Sequence, residues 1–279
     1  MHKKIVGTAG LATALAGSAL AQDSGAPAVK NINAKLSFGY ADTNGTDQAN
    51  GPFLSAAISF PVTDPIGVQV DFGLDNLTND SRSVDGSKAI GIHVFTRDPS
   101  TFLIGAYAHY IETDTATLGT ARSVRYGVEG EYYFENFTVD GFLGRDEVRF
   151  SGTDQSFTAV EFSTSYFIND NFKLTGSFNH AFDNNRGEFG VEYLANISGQ
   201  PFAWFATVGR ENGNTSVVAG ATIYFGNNGL SLKQIERQND PKIRFAGAVR
   251  SFSQFTEEAA REILGRPTGV CSYYICKKT

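Results

Sequence analysis

The sequence predicts an all-β fold: a closed, antiparallel, transmembrane β-barrel of about twelve strands with a short C-terminal tail. Three observations point there. From Asn33 to Phe225, apolar residues recur at every second position in segment after segment, the period of a strand with one apolar and one polar face. No stretch after Ala21 is long and apolar enough for a membrane helix, so a membrane crossing here uses strands. The composition also fits: 30 glycines and 23 phenylalanines stand against one methionine and eight prolines. The mean hydropathy of -0.19 is too polar for a helical membrane protein but suits a barrel with a wet interior.

The chain opens with Lys3 and Lys4, an apolar stretch from Ile5 to Leu20, and the small-residue site Ala19-Leu20-Ala21. Residues 1–21 therefore read as a secretory signal peptide; a short membrane anchor is the alternative. No Cys stands at the cleavage site, so no lipid attachment is expected there. Losing Lys3 and Lys4 takes the formal charge from -6 to -8, which argues against nucleic acid as a partner. Gln22 to Ile32 forms a polar lead bearing Gly and Pro.

The organising stretch is Leu54 to Asp75, two alternating runs about the turn Thr63-Asp64-Pro65. Ala56, Ile58, Phe60 and Val62 share one face; Ile66, Val68, Val70, Phe72 and Leu74 share the matching one. Pairing Val62 with Ile66 sets Phe60 opposite Val68 and Ala56 opposite Phe72, so both apolar faces point the same way. Before this hairpin lies a strand from Asn33 to Tyr40. After it come Lys88 to Thr96, Thr101 to Ile111, Arg122 to Phe134, Phe137 to Asp146 and Gln155 to Ile168. Phe172 to Phe182, Gly187 to Leu194, Phe202 to Arg210 and Ser216 to Phe225 complete the set. In the ninth run Phe172, Leu174, Phe178 and Phe182 read as one face.

Connections alternate. Thr63 to Pro65, Arg97 to Ser100, Glu135-Asn136, Asn169 to Asn171 and Ile197 to Gln200 are short; Ala41 to Gly51, Asn76 to Ser87 and Glu112 to Ala121 read as longer loops. The turn Glu135-Asn136 places Glu131 opposite Asp140 and Arg125 opposite Asp146. The turn at Asn169 to Asn171 places Ser177 opposite Ser163 and Asn179 opposite Glu161. Polar thus meets polar across several hairpins, as on the inner wall of a barrel. Phe60, Tyr132, Phe134, Phe137, Tyr166, Phe172, Tyr193 and Phe202 crowd beside the short turns and read as an interfacial girdle. A plain cross-strand aromatic cluster is the alternative.

In the last run Gly220, Ile223 and Phe225 fill the places of a glycine and two alternating hydrophobic positions, while Val218 stands where a polar residue is usual. With the alternation from Asn33 to Phe225, this resembles the small, porin-like outer-membrane β-barrels of Gram-negative bacteria. The resemblance implies outer-membrane lipid and, during insertion, the barrel-assembly machinery as partners, with further copies of the chain as another.

Residues 33–226 form the expected barrel and 227–279 a periplasmic tail. Asn227 to Pro241 is polar and charged. Thr256 is placed to cap a short helix, Glu257 to Leu264, closed by Gly265 and Pro267. The tail reads either as a disordered extension or as a cap or plug over the periplasmic mouth. Cys271 and Cys276, the only cysteines, are close enough to pair in an oxidising compartment.

Phosphate-binding loops, metal-spaced Cys/His sets and nucleophile elbows are absent from the sequence, and no cofactor is expected. Outer-membrane phospholipases use a lipid-side His-Ser pair, and omptin-type proteases use His and Asp at the outer rim. His180 with Ser156, and His109 with Glu112 and Asp114, match these thinly, and His93 reads as a lumen residue. No catalytic residue is assigned. Strand parity points Asp71, Glu129, Glu131, Asp140, Asp146, Glu161, Glu188 and Glu192 inward against Lys35, Arg125 and Lys173. Asp71, Arg125, Glu129, Glu131, Asp140, Asp146, Glu161, Lys173 and Glu192 are the expected pore lining. An acidic lumen implies passive passage of small cationic or neutral solutes. A non-conducting structural or surface-recognition barrel is the alternative.

Overall fold

The structure, a computed structural model, describes residues 27–44, 49–79, 85–115, 119–239, 241–245, 249–250, 252–253, 255–256 and 259. Twelve strands close into one barrel. They are β1 (Asn33–Asn44), β2 (Ala49–Thr63), β3 (Ile66–Asn79), β4 (Asp85–Asp98), β5 (Phe102–Thr115) and β6 (Gly119–Tyr133). Then follow β7 (Phe137–Phe150), β8 (Thr153–Asn169), β9 (Phe172–Ala181), β10 (Asn184–Ile197), β11 (Gln200–Glu211) and β12 (Asn214–Phe225). Each pairs antiparallel with the next, and β12 returns to β1, with Leu36 opposite Ile223. Closure leaves no unpaired sheet edge, which a bilayer would not tolerate. A short helix, α1 (Leu232–Gln238), follows, and the described residues from Phe245 to Ala259 are helical too.

The alternation sets the two faces as expected. Val128 and Leu143 are 60% and 58% exposed on the outside, whereas Asp71 and Arg125 are wholly buried on the inside. The aromatics beside the short turns point outward and also touch one another: Phe137 meets Tyr166 at 4.7 Å and Phe202 meets Trp204 at 4.8 Å between ring centroids.

Three local expectations change. Phe60 lies opposite Val68 and Ala56 opposite Phe72, but a bulge between Pro61 and Thr63 brings Thr63 rather than Val62 opposite Ile66. Pro61 has no N–H for the ladder, so the extra residue is taken up there. The stretches expected as long loops are largely strand: β1 runs to Asn44, β3 to Asn79 and β5 to Thr115. A 14-residue strand such as β3 is ~46 Å long at ~3.3 Å per residue, more than a bilayer crossing needs. Its polar end, Asp75 to Asn79, continues the ladder beyond the apolar run from Ile66 to Leu74. Lastly, Phe182 does not continue the outward face of β9. It sits in the β9–β10 turn with φ 54°, next to Asp183 at 60°, and its side chain is wholly buried inside the barrel.

Candidate functional site

The interior of the barrel is where charge gathers, and the chain after β12 runs through it. At the short-turn end α1 is fastened across the mouth. Ser231 caps it, its hydroxyl accepting from the Gln234 N–H while the Gln234 side chain accepts from the Ser231 N–H. The Lys233 N–H donates to the Asp170 carbonyl (3.0 Å), and the Arg237 guanidinium donates to the Phe134 and Phe137 carbonyls (2.7 and 2.9 Å). Leu232 and Ile235 bury their side chains against Phe167, Leu194, Ala203 and Tyr224. Ala28 and Val29 tuck into the same mouth beside Phe95, Leu103 and Tyr133, so part of the expected polar lead is fully buried. From Gln238 the chain turns inward, and the Pro241 carbonyl accepts from Lys35 and Gln69, both at 3.1 Å.

Midway along the lumen a charged network forms. His93 bridges Asp71 (2.9 Å) and Glu129 (2.8 Å). Arg125 makes a two-pronged contact with Asp146 (2.7 and 2.9 Å) and donates a third bond to Glu161 (2.6 Å). Into this set the tail inserts Arg244, which donates to Glu129 at 2.6 Å, lies 3.4 Å from Glu161 and pairs with Asp140. Lys242 adds a second cation to Asp140 at 3.3 Å. Glu131 faces Asp140 across the β6–β7 ladder and accepts from the Tyr133 hydroxyl at 2.8 Å. Lys173 lies between Glu192 (2.8 Å) and Glu236 of α1. Burial pushes the Glu236 carboxyl above the usual range; Lys173 pulls it back and Glu192 pushes it up again.

Asp71, Arg125, Glu129, Glu131, Asp140, Asp146, Glu161, Lys173 and Glu192 thus all point into the lumen. The acidic excess counted on the strands is offset in part by cations of the tail, because Lys242, Arg244 and Arg250 lie inside the barrel, the last donating to Glu188 at 2.9 Å, and in part by Arg186 of β10, which the sequence count left out and which also pairs with Glu188. Arg244 escapes strand parity because it lies on no strand.

Arg244 ties the tail to β6, β7 and β8, and the tail does not fill the whole cross-section of the barrel. A cavity of about 320 Å³ remains beside it, lined by Ser37, Ser55, Thr175 and Thr207, by Glu131, Asp140 and Ser163 of β6, β7 and β8, and by Lys242, Phe245 and Val249 from the tail. Phe245 comes so near β3 that a Cβ on Gly73 would lie 2.4 Å from its ring, so this glycine is what lets the tail approach.

Beyond mid-lumen the contacts become apolar. Phe245, Val249, Phe252, Phe255 and Ala259 pack on inward-facing Ala89, Ile111, Ala121, Val148, Phe150 and Phe157. Phe182 closes this cluster, 5.2 Å from Phe252 and 5.7 Å from Phe255 between centroids. A non-glycine residue at positive φ costs ~1–3 kcal/mol, which burial of the ring offsets. Thr256 is not a cap here: it lies within the helical stretch and donates to the Phe252 carbonyl four residues back (2.8 Å). The rest of the expected helix, residues 260–264, and Cys271 and Cys276 lie outside the described residues. A signal for this docking does exist in the sequence, since Ile111, Ala121, Val148 and Phe157 are apolar at inward positions where a wet lumen would take polar ones.

The histidines do not assemble a nucleophile. The His180 ring bonds the Asn185 amide oxygen at 2.8 Å, while Ser156 accepts from Arg145 at 2.9 Å. His109 is buried with the Tyr107 hydroxyl at 3.0 Å. Among the described residues, no group of acidic, His or Cys side chains is arranged to hold a metal.

No family model and no curated relative matches this chain. Solved structures do. An outer-membrane channel from Pseudomonas putida F1 is 12% identical, with a TM-score of 0.50, over 70% of this chain and 96% of that one. The translocator domain of the autotransporter NalP from Neisseria meningitidis is 10% identical, with a TM-score of 0.50, over 70% and 86%. The outer membrane phospholipase A from Escherichia coli is 9% identical, with a TM-score of 0.48, over 69% and 92%. The chain has the fold of an outer-membrane β-barrel. Since a channel and a translocator share it, the fold alone does not choose between their activities.

Proposed function

We propose that this chain is an outer-membrane channel for small polar solutes whose own C-terminal segment fills part of the lumen. The observation that carries this reading is the cavity of about 320 Å³ beside the tail, with hydroxyls of Ser37, Ser55, Thr175 and Thr207 along its wall. A barrel built only for strength would close that space with side chains. The apolar exterior suits lipid, and assembly machinery would insert it there. With Glu129, Asp140 and Glu161 engaged by Arg244, the passage favours neutral solutes and gives cations only a modest advantage. No chemistry is assigned to His109 or His180, so the reading is not enzymatic.

Conductance in planar bilayers tests it. Full-length protein should give small, weakly cation-selective events. Deletion of residues 240–279 should give larger ones, because the strand ladder is complete without them. A second reading, a non-conducting structural barrel, draws on the short-turn mouth, which α1 and residues 27–32 both cover. Silence from both proteins in bilayers would sink the channel in favour of that barrel.

A further inference from the structure

Two inward-facing phenylalanines, Phe53 and Phe205, stand apart from the cluster that docks the tail. Phe205 of β11 lies opposite Gly220, Gly220 opposite Gly39, and Gly39 opposite Phe53 of β2. The glycines leave the wall bare between the rings, and each ring leans over one of them. A Cβ on Gly39 would lie 2.8 Å from the Phe53 ring, and one on Gly220 would lie 2.7 Å from that of Phe205. The ring centroids are 6.2 Å apart, with 42° between the planes. Ala41, Leu77 and Val218, all on strands, pack against them. Both rings nevertheless stay partly exposed and line the cavity. Hydroxyls border them. On the rung toward α1, Ser37 lies between Thr222 and Ser55 and shares a hydrogen bond of 2.8 Å with Thr222. On the rung away from it, Thr207 also faces the cavity. Among the described residues, cationic and acidic side chains line this space in equal number, and Lys173 is paired with Glu192 and Lys242 with Asp140.

We infer that Phe53 and Phe205 form a binding platform for a neutral, cyclic, polyhydroxylated solute, a single pyranose-like ring. The inference rests on the channel reading and names its class of solute. One face of such a ring presents C–H groups, which lie against aromatic faces. Its hydroxyls point outward at the edge, toward Ser37, Ser55 and Thr207. The Ser37–Thr222 bond uses one of the two hydroxyl protons, so the other proton and the spare lone pairs are open to the solute. A flat aromatic solute would cover the rings but leave these hydroxyls against carbon. An ionic solute would meet a lining of balanced charge. A volume of about 320 Å³ is near the lower end of small-molecule pockets (~300–1,000 Å³), which suits one ring rather than an oligomer.

Saturation-transfer NMR on the full chain in detergent reads binding, with D-glucose as the probe, and planar bilayers read conductance separately. The expected result is transfer to the C–H protons of glucose. Acyclic D-glucitol, anionic D-glucuronate and aromatic nicotinamide should each receive several-fold less at the same concentration. Phe53→Leu with Phe205→Leu keeps apolar volume but removes both aromatic faces, and should bind glucose about fivefold more weakly. Gel mobility before and after boiling shows whether this variant is folded, and Phe205→Leu alone replaces it if it is not. Trp204→Leu, on the outer face, should bind as the native chain does. Undiminished glucose binding by the folded leucine variant would overturn the inference. So would glucitol, glucuronate or nicotinamide bound as well as glucose. Conductance without glucose binding would overturn the platform and leave the channel reading standing. Glucose binding without conductance would support the platform and sink the channel.

Discussion

The middle of the lumen and its far end hold the same tail by different physics. In the middle, Arg244 faces Glu129, Asp140 and Glu161, all buried, and each bond has a direction and a length. At the far end Phe252 and Phe255 lie against Phe157 and Phe182, where contact is broad and undirected. Buried ion pairs gain little net stability, because desolvation cancels most of the attraction; losing one partner is what costs. Buried rings gain stability steadily with area. The middle therefore sets where the tail sits, and the far end supplies much of what keeps it there.

The largest effect should come from removing both regions at once. Without residues 240–279 we expect a folded, heat-modifiable barrel with conductance raised several-fold. It should also show marked cation selectivity, since Glu129, Asp140 and Glu161 lose their cation. A reversal potential in asymmetric KCl reads this; an unchanged selectivity would mean that the carboxylates do not face the permeant path. Arg244→Ala separates the two regions. It strands buried carboxylates and should weaken tail docking by about 3–5 kcal/mol. The change should appear as faster proteolysis of the tail and as a shift toward cations.

Phe252→Ala should cost about 3–5 kcal/mol as well, through cavity formation. It should speed tail proteolysis yet leave selectivity where it was, because no charge changes. If Phe252→Ala moved the reversal potential as far as Arg244→Ala, the division of labour would be wrong. The smallest effect belongs to Glu236. Its carboxyl is raised by burial, so the docked helix binds its proton more tightly than the free chain does. Docking should then weaken modestly as pH climbs through the carboxylate range. Glu236→Gln should flatten that dependence in hydrogen exchange at α1. A steeper dependence in the variant would contradict it.

Much of the barrel was legible in the chain because each strand's alternation is a local property. Phe60 opposite Val68, Glu131 opposite Asp140 and Ser177 opposite Ser163 follow from a period of two and the position of a turn. Glu129 and Asp140 could be placed inside on that basis alone. Their partner could not, since Arg244 lies 115 and 104 residues away in sequence and on no strand. Phe182 was misplaced for a related reason. Local rules favour Asn or Gly at positive φ, and only contact with Phe252 and Phe255 explains a phenylalanine there.

By itself, then, the sequence determined the order of the strands, most of their register and which face of each turns inward, because alternation, turn residues and ladder pairing act between near neighbours. The tertiary structure decided that the lumen is occupied and that cations of the tail offset part of its acidic charge. It also decided where the remaining cavity lies, because these depend on which distant segment enters a closed barrel and where its charges come to rest.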